Sequence, residues 1–181
     1  MPLYTADALV LRTYALGESD RIVVFLTRDR GKKRGVAKSA RRSRKRFGGA
    51  LEPLTEVRVA YFESARRELV GLNYAEAVRS PLSMVGVAGL QGHETLTYSA
   101  YFAELLNEWA QDADADDRLY RLGVSMLDGL AAGAPVEPLA RYFEYWVLRL
   151  QGVYPEARGT LSDGAMAFLA AAREVAPRDA G

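Results

Sequence analysis

The chain has 181 residues, 49% of them hydrophobic and 26% charged, with a formal net charge of +1. That composition excludes disorder as the dominant state, and the length suffices for one domain or two small ones with a real core. There is no cysteine and a single histidine, His93, which excludes disulfides, thiolate nucleophiles, cysteine-ligated metal centres and any chemistry that needs two histidines.

The first half reads as β. Residues 6–14 (ADALVLRTY) and 21–27 (RIVVFLT) are rich in Val, Leu, Ile and Phe, with the turn-forming Gly17-Glu18-Ser19-Asp20 between them. No secretory signal is expected at this end, because Asp7 and Arg12 flank the short apolar stretch Ala8–Leu11 and no basic segment precedes it. Residues 32–39 read as a third strand after Gly31. Residues 55–62 (TEVRVAYF) alternate, with Val57, Val59 and Tyr61 on one side and Glu56 and Arg58 on the other, the pattern of a half-buried strand. Residues 67–74 make a fifth strand. Five short strands in this length predict a small sheet or barrel.

The second half reads as α. Tyr98, Tyr101, Phe102, Leu105, Leu106 and Trp109 recur at helical spacing, as do Leu139, Tyr142, Phe143, Trp146, Val147 and Leu150. Leu119, Leu122, Met126, Leu127 and Leu130 form a third stripe, and a shorter helix is predicted over 163–175 with Ser162 as N-cap. The boundary falls in Ser80–Gly92, which reads either as a linker or as an apolar segment held between modules. The predicted organisation is therefore α+β, with a β domain over 1–79 and a helical domain over 80–181. No run approaches the roughly 18 apolar residues of a membrane span, so a soluble, cytoplasmic protein without a membrane partner is expected.

The small net charge conceals an asymmetry. Residues 1–80 hold seventeen Lys/Arg against nine Asp/Glu, and residues 81–181 hold seven against fourteen. The basic half is expected to meet a polyanion, and the acidic half a protein partner.

Residues 28–46 (RDRGKKRGVAKSARRSRKR) concentrate the charge: eleven of the nineteen are Lys or Arg and only Asp29 is acidic. Such crowding costs self-repulsion, which a polyanion relieves by displacing counterions. Lys32, Lys33, Arg34, Lys38, Arg41, Arg42, Arg44, Lys45 and Arg46 are the candidate phosphate contacts. Phe47 is a candidate stacking partner for bases, with Tyr61, Phe62 and Tyr74 as further aromatics, each of which has core or strand packing as its alternative reading. The run reads as strand and loop rather than a helix-turn-helix, so little base-edge specificity is expected. A solvated charge run without a partner is the competing reading.

Other chemistry finds little support. There is no phosphate-binding P-loop, HExxH or G-x-S-x-G motif. Asp112, Asp114, Asp116 and Asp117 lack the glycine and terminal glutamate of a calcium loop and read as a solvated interhelical loop. His93 reads as a surface or capping histidine. No catalytic residue, metal site or cofactor is predicted.

Several blocks resemble the RecO family of bacterial DNA repair proteins: Val10-Leu11-Arg12 with Gly17–Val23, Leu26-Thr27 with Gly31-Lys32, and above all Arg34–Lys38 running into Ala40-Arg41-Arg42 and Arg46–Pro53. The similarity is clear over about 1–75 and looser through the helices, at Tyr98–Leu106 and Tyr142–Gly152. It implies an N-terminal five-stranded OB-fold barrel, an all-α C-terminal domain, and a non-catalytic, nucleoid-associated role in recombinational repair. Family members bind single- and double-stranded DNA and anneal complementary strands. With a RecR partner they help load the RecA recombinase onto DNA coated by single-strand-binding protein (SSB), whose C-terminal tail they also bind. Two departures are visible. The cysteine zinc module that many members carry after the helix ending near Gly152 is missing, and the sequence stops at Gly181, before the basic last helix that the family pattern leads one to expect.

Two other function classes remain open on the sequence. One is an RNA- or ribosome-associated OB-fold assembly factor, for which no reader of the 2′-hydroxyl is identifiable. The other is a metal-dependent nuclease, for which Glu52, Glu56 and Glu63 are available but fit strand alternation and turns better.

Overall fold

A computed structural model describes residues 2–64, 66–85 and 92–153. Five strands appear: β1 (Leu3–Leu16), β2 (Asp20–Thr27), β3 (Gly31–Ala37), β4 (Glu56–Phe62) and β5 (Val70–Arg79). They close a barrel in the order β1-β2-β3-β5-β4. All neighbours are antiparallel except β3 and β5, which meet in parallel through Gly35, Val36 and Ala37 against Val70, Gly71 and Leu72. Between β3 and β4 sits α1 (Arg44–Phe47), and the helical layer consists of α2 (Gly92–Trp109), α3 (Asp117–Ala131) and α4 (Val136–Leu150).

The strand patterns follow from what each face meets. β4 alternates because one face lines the barrel while the other meets solvent or half-buried charge, so Val57, Val59 and Tyr61 are buried and Arg58 is exposed. β2 is a nearly continuous apolar run because it is covered twice. Val23 and Phe25 point into the barrel, and Val24 and Leu26 point out beneath the helices. Phe47, Ala50 and Leu51 close one end of the barrel interior.

The helical layer has no separate core. Leu9, Leu11, Val24, Leu26 and Leu54 of the barrel join Phe102, Leu106, Leu119, Met126 and Phe143 of the helices in one buried cluster. Gly123 permits the approach of α3 to β1: a Cβ there would lie 2.5 Å from Leu9 Cδ1 and 2.8 Å from Leu106 Cδ1. Arg79 at the end of β5 adds a polar clamp. Its guanidinium meets Glu56 of β4 at 2.6 Å and also Asp128 of α3.

The structure differs from the sequence expectations in several places. Residues 44–47, expected as loop, form one helical turn that seats Phe47 in the barrel, with Gly48 N donating to Arg44 O at 2.8 Å. β5 begins at Val70 rather than 67 and continues to Arg79, because its second half pairs with β4 as far as Glu56. The boundary segment is packed where it is described: Pro81–Met84 form a 3-10 turn, and Met84 joins the helical core. Residues 86–91 and the helix expected over 163–175 with its Ser162 cap lie outside the described residues. None of the described helices is long and apolar enough to cross a membrane.

Candidate nucleic-acid interface

The basic run divides at Gly35 into two groups with different electrostatic partners. The first five cations are paired. Arg28 Nε lies 2.9 Å from Asp117, Arg30 lies 3.8 Å from Asp29, and Lys33 Nζ lies 2.8 Å from Glu63. Lys32 and Arg34 both face Asp112, at 3.6 and 4.0 Å. For the remaining six (Lys38, Arg41, Arg42, Arg44, Lys45 and Arg46), no acidic side chain among the described residues lies within ion-pair distance.

Lys32 is a tether rather than a surface cation. It is only 9% exposed. Its Nζ donates to Asn107 O at 2.8 Å, its N–H donates to Gln111 O, and its carbonyl accepts from Ala113 N. These bonds fasten the start of β3 to the loop between α2 and α3, so that loop is partly a docking element and not simply solvated, as its acid content suggested. Lys33 is mostly buried in its pair with Glu63.

The second group rides on the β3–α1 loop, which is braced rather than loose. Ser39 N donates to Asp20 Oδ1 at 2.8 Å, Arg41 N donates to Ser19 O, and the Arg41 guanidinium donates to Glu18 O. These bonds pin the loop to the β1–β2 turn. Arg46 donates to Lys38 O at 2.7 Å, and its guanidinium carbon lies 4.7 Å from the Phe47 ring centroid. Lys38, Arg41, Arg42, Arg44 and Lys45 are exposed around this frame. A cleft of about 370 Å³ opens beside them, lined by Arg44, Lys45, Arg46, Gly48 and by Tyr74–Ala77 of β5. Arg21, which the sequence reading passed over, lines a second, smaller cleft with Arg41 and Arg44. Its isolation from the basic run hid it.

The aromatic candidates fare differently. Phe47 is not presented to a base: it is 3% exposed, because its side chain fills the barrel end. Tyr61 is fully buried between Tyr4 and Phe25, and burial pushes its phenol up to about 12. Phe62 and Tyr74 are half-buried on the outside of the barrel. Among the described residues no group of three or more acidic or histidine side chains could hold a metal ion. Glu56 is engaged by Arg79 and Glu63 by Lys33.

The strand order, the parallel β3–β5 closure and the loop between β3 and β4 define an OB-fold protein with a helical C-terminal domain. Residues 1–81 match the family model described as Recombination protein O N terminal, and residues 91–173 match Recombination protein O C terminal. The chain belongs to the RecO family. Its relatives include a DNA repair protein RecO of Koribacter versatilis, 41% identical over 154 residues, covering 85% of this chain and 61% of that protein. Another, of Anaeromyxobacter sp. (strain K), is 40% identical over 147 residues, covering 81% and 56%. A third, of Bifidobacterium adolescentis, is 39% identical over 140 residues, covering 74% and 52%. The chain thus spans a little over half the length of the curated relatives it matches.

Proposed function

We propose that this chain is a non-catalytic DNA-binding recombination mediator of bacterial DNA repair, working in the cytoplasm at the nucleoid. It binds single- and double-stranded DNA through the β3–α1 loop and anneals complementary strands. With a RecR-like partner it helps load RecA onto DNA coated by SSB, whose C-terminal tail it also binds. The relatives named above support the repair role, and the observation that carries DNA binding is the split in the basic run. Six cations on a braced, exposed loop have no acidic partner among the described residues, while the five before them do. Such a surface takes up phosphates by releasing counterions, and it screens the repulsion between two strands brought together for pairing. The acidic helical layer suits protein docking better than DNA contact.

The test is fluorescence anisotropy of labelled single-stranded DNA across a salt series. The variant replaces Lys38, Arg42, Arg44 and Lys45 with Gln and keeps Arg41 and Arg46, which brace the loop. Each lost phosphate contact flattens the slope of log affinity against log salt by roughly 0.7, so the variant's slope is expected to flatten by about 3. Strand annealing is expected to fall with it. A folded variant with the wild-type slope and annealing rate would refute the assignment.

A further inference from the structure

We infer that a row of outward-facing residues across the barrel, beginning at Tyr14 on β1, is the base-stacking platform for single-stranded nucleic acid. The inference rests on the DNA-binding reading above and adds to it a surface that contacts bases rather than phosphates.

The row follows from strand register. Tyr14 pairs with Ile22, Ile22 with Val36, Val36 with Gly71, and Gly71 with Phe62. Their chain neighbours Val23, Ala37, Leu72 and Tyr61 belong to the barrel interior, and Thr13 donates to Leu51 O in the plug. Period-two alternation therefore turns the whole row outward. It lies just beyond the part of the sheet that the helices cover, where Leu9, Leu11, Val24 and Leu26 are buried. Tyr14 is 43% exposed, and Ile22, Val36 and Phe62 are half-buried. Gly71 has nothing within 4 Å of its Cβ direction, which leaves a gap of open surface in the row.

The row crosses all five strands, about 19 Å along the curved sheet at about 4.8 Å per strand, and its first three positions, Tyr14, Ile22 and Val36, present about 10 Å of one face to stacked bases. Cations border it on both sides. Arg12 and Arg34 flank Val24 in the adjacent register row; Arg34 also faces Asp112 at 4.0 Å, so Arg12, whose guanidinium lies 5.1 Å from the Tyr14 ring centroid, is the main cation of this margin. Lys38, two residues beyond Val36, opens the phosphate-binding loop on the other side. Two acids, Glu18 and Asp20, stand at that end, and Asp20 is already engaged by Ser39 N. An apolar and aromatic strip between two basic margins suits a strand whose phosphates run along the margins and whose bases lie on the strip. A duplex, with its bases paired inside, cannot use it.

The experiment compares the full chain with Tyr14→Ala and Tyr14→Phe on three labelled probes: an oligo-dT, an abasic oligomer of equal length and a duplex. Tyr14→Ala is expected to weaken oligo-dT binding roughly ten-fold, to leave the abasic and duplex probes unchanged and to keep the salt slope, because one stacked base is lost and no phosphate contact. Tyr14→Phe is expected to bind as wild type. Unchanged thermal midpoints show that both variants fold. Equal losses on all three probes, or no loss on oligo-dT, overturn the inference; no loss would leave the row to a protein partner. Failure of the wild type to bind any probe overturns the DNA-binding reading as well. Loop-dependent binding that ignores Tyr14 overturns only this inference.

Discussion

Gly31→Ala tests how the barrel is joined to the helices. Gly31 adopts φ +68°, and a Cβ there would sit 2.3 Å from Asp114 O and 2.4 Å from Asp114 N. Both are backbone atoms, so no side-chain rotation relieves the clash. The left-handed conformation costs an alanine about 1 kcal/mol. The 111–114 loop must also recede by roughly an ångström to restore ordinary contact, which breaks Lys32 N→Gln111 O and Ala113 N→Lys32 O, at about 1 kcal/mol each. The expected loss is about 3 kcal/mol. Gly17→Ala is the matched control: φ is +61° with nothing within 4 Å, so only the conformational cost of about 1 kcal/mol applies. Urea denaturation measures both, and hydrogen exchange should show the Lys32 and Ala113 amides losing protection in Gly31→Ala alone. Equal losses for the two variants, or unchanged protection at Ala113, would refute the reasoning.

Arg79→Leu leaves Glu56 and Asp128 facing one another without their shared cation and is expected to cost about 2 kcal/mol in denaturant titrations. Adding Glu56→Gln and Asp128→Asn should recover much of that loss, which an apolar-contact effect would not do. Lys32→Met is expected to lower stability by about 1–2 kcal/mol through its bond to Asn107 O, yet to leave the salt slope of DNA binding unchanged. Arg42→Gln should do the reverse, as paired denaturation and anisotropy measurements will show. Burial pushes Tyr61 up to about 12, burial and then the bond to Glu144 push Tyr101 up to about 12, and burial also raises Tyr120. The native state keeps these protons while an unfolded tyrosine releases its own near pH 10, so the stability they hold is intact below about pH 10 and is lost as pH rises toward 12. Tyrosinate absorbance from these three should appear only together with loss of circular dichroism.

Local periodicity was legible without coordinates. The alternation of Val57, Val59 and Tyr61 and the helical stripes around Phe102, Met126 and Phe143 state which face is buried, because a strand or helix repeats its environment every two or 3.6 residues. The concentration of positive charge in 28–46 was equally plain, as were the motifs shared with the RecO family. What the run does with its charge was not. Lys32 and Arg42 look alike in sequence. They are separated by partners 75 and 80 residues away, at Asn107 and Asp112, which only barrel closure and helix docking bring to the start of β3. Phe47 reads as an aromatic beside cations, and only the α1 turn decides that its ring plugs the barrel. The Tyr14 row combines residues from five strands whose register depends on a bulge between Val10 and Arg12 and on the parallel β3–β5 seam. Hydrophobic pattern carries the identity of a face but not the neighbour across it, and at this surface the neighbours separate structural cations from those facing solvent.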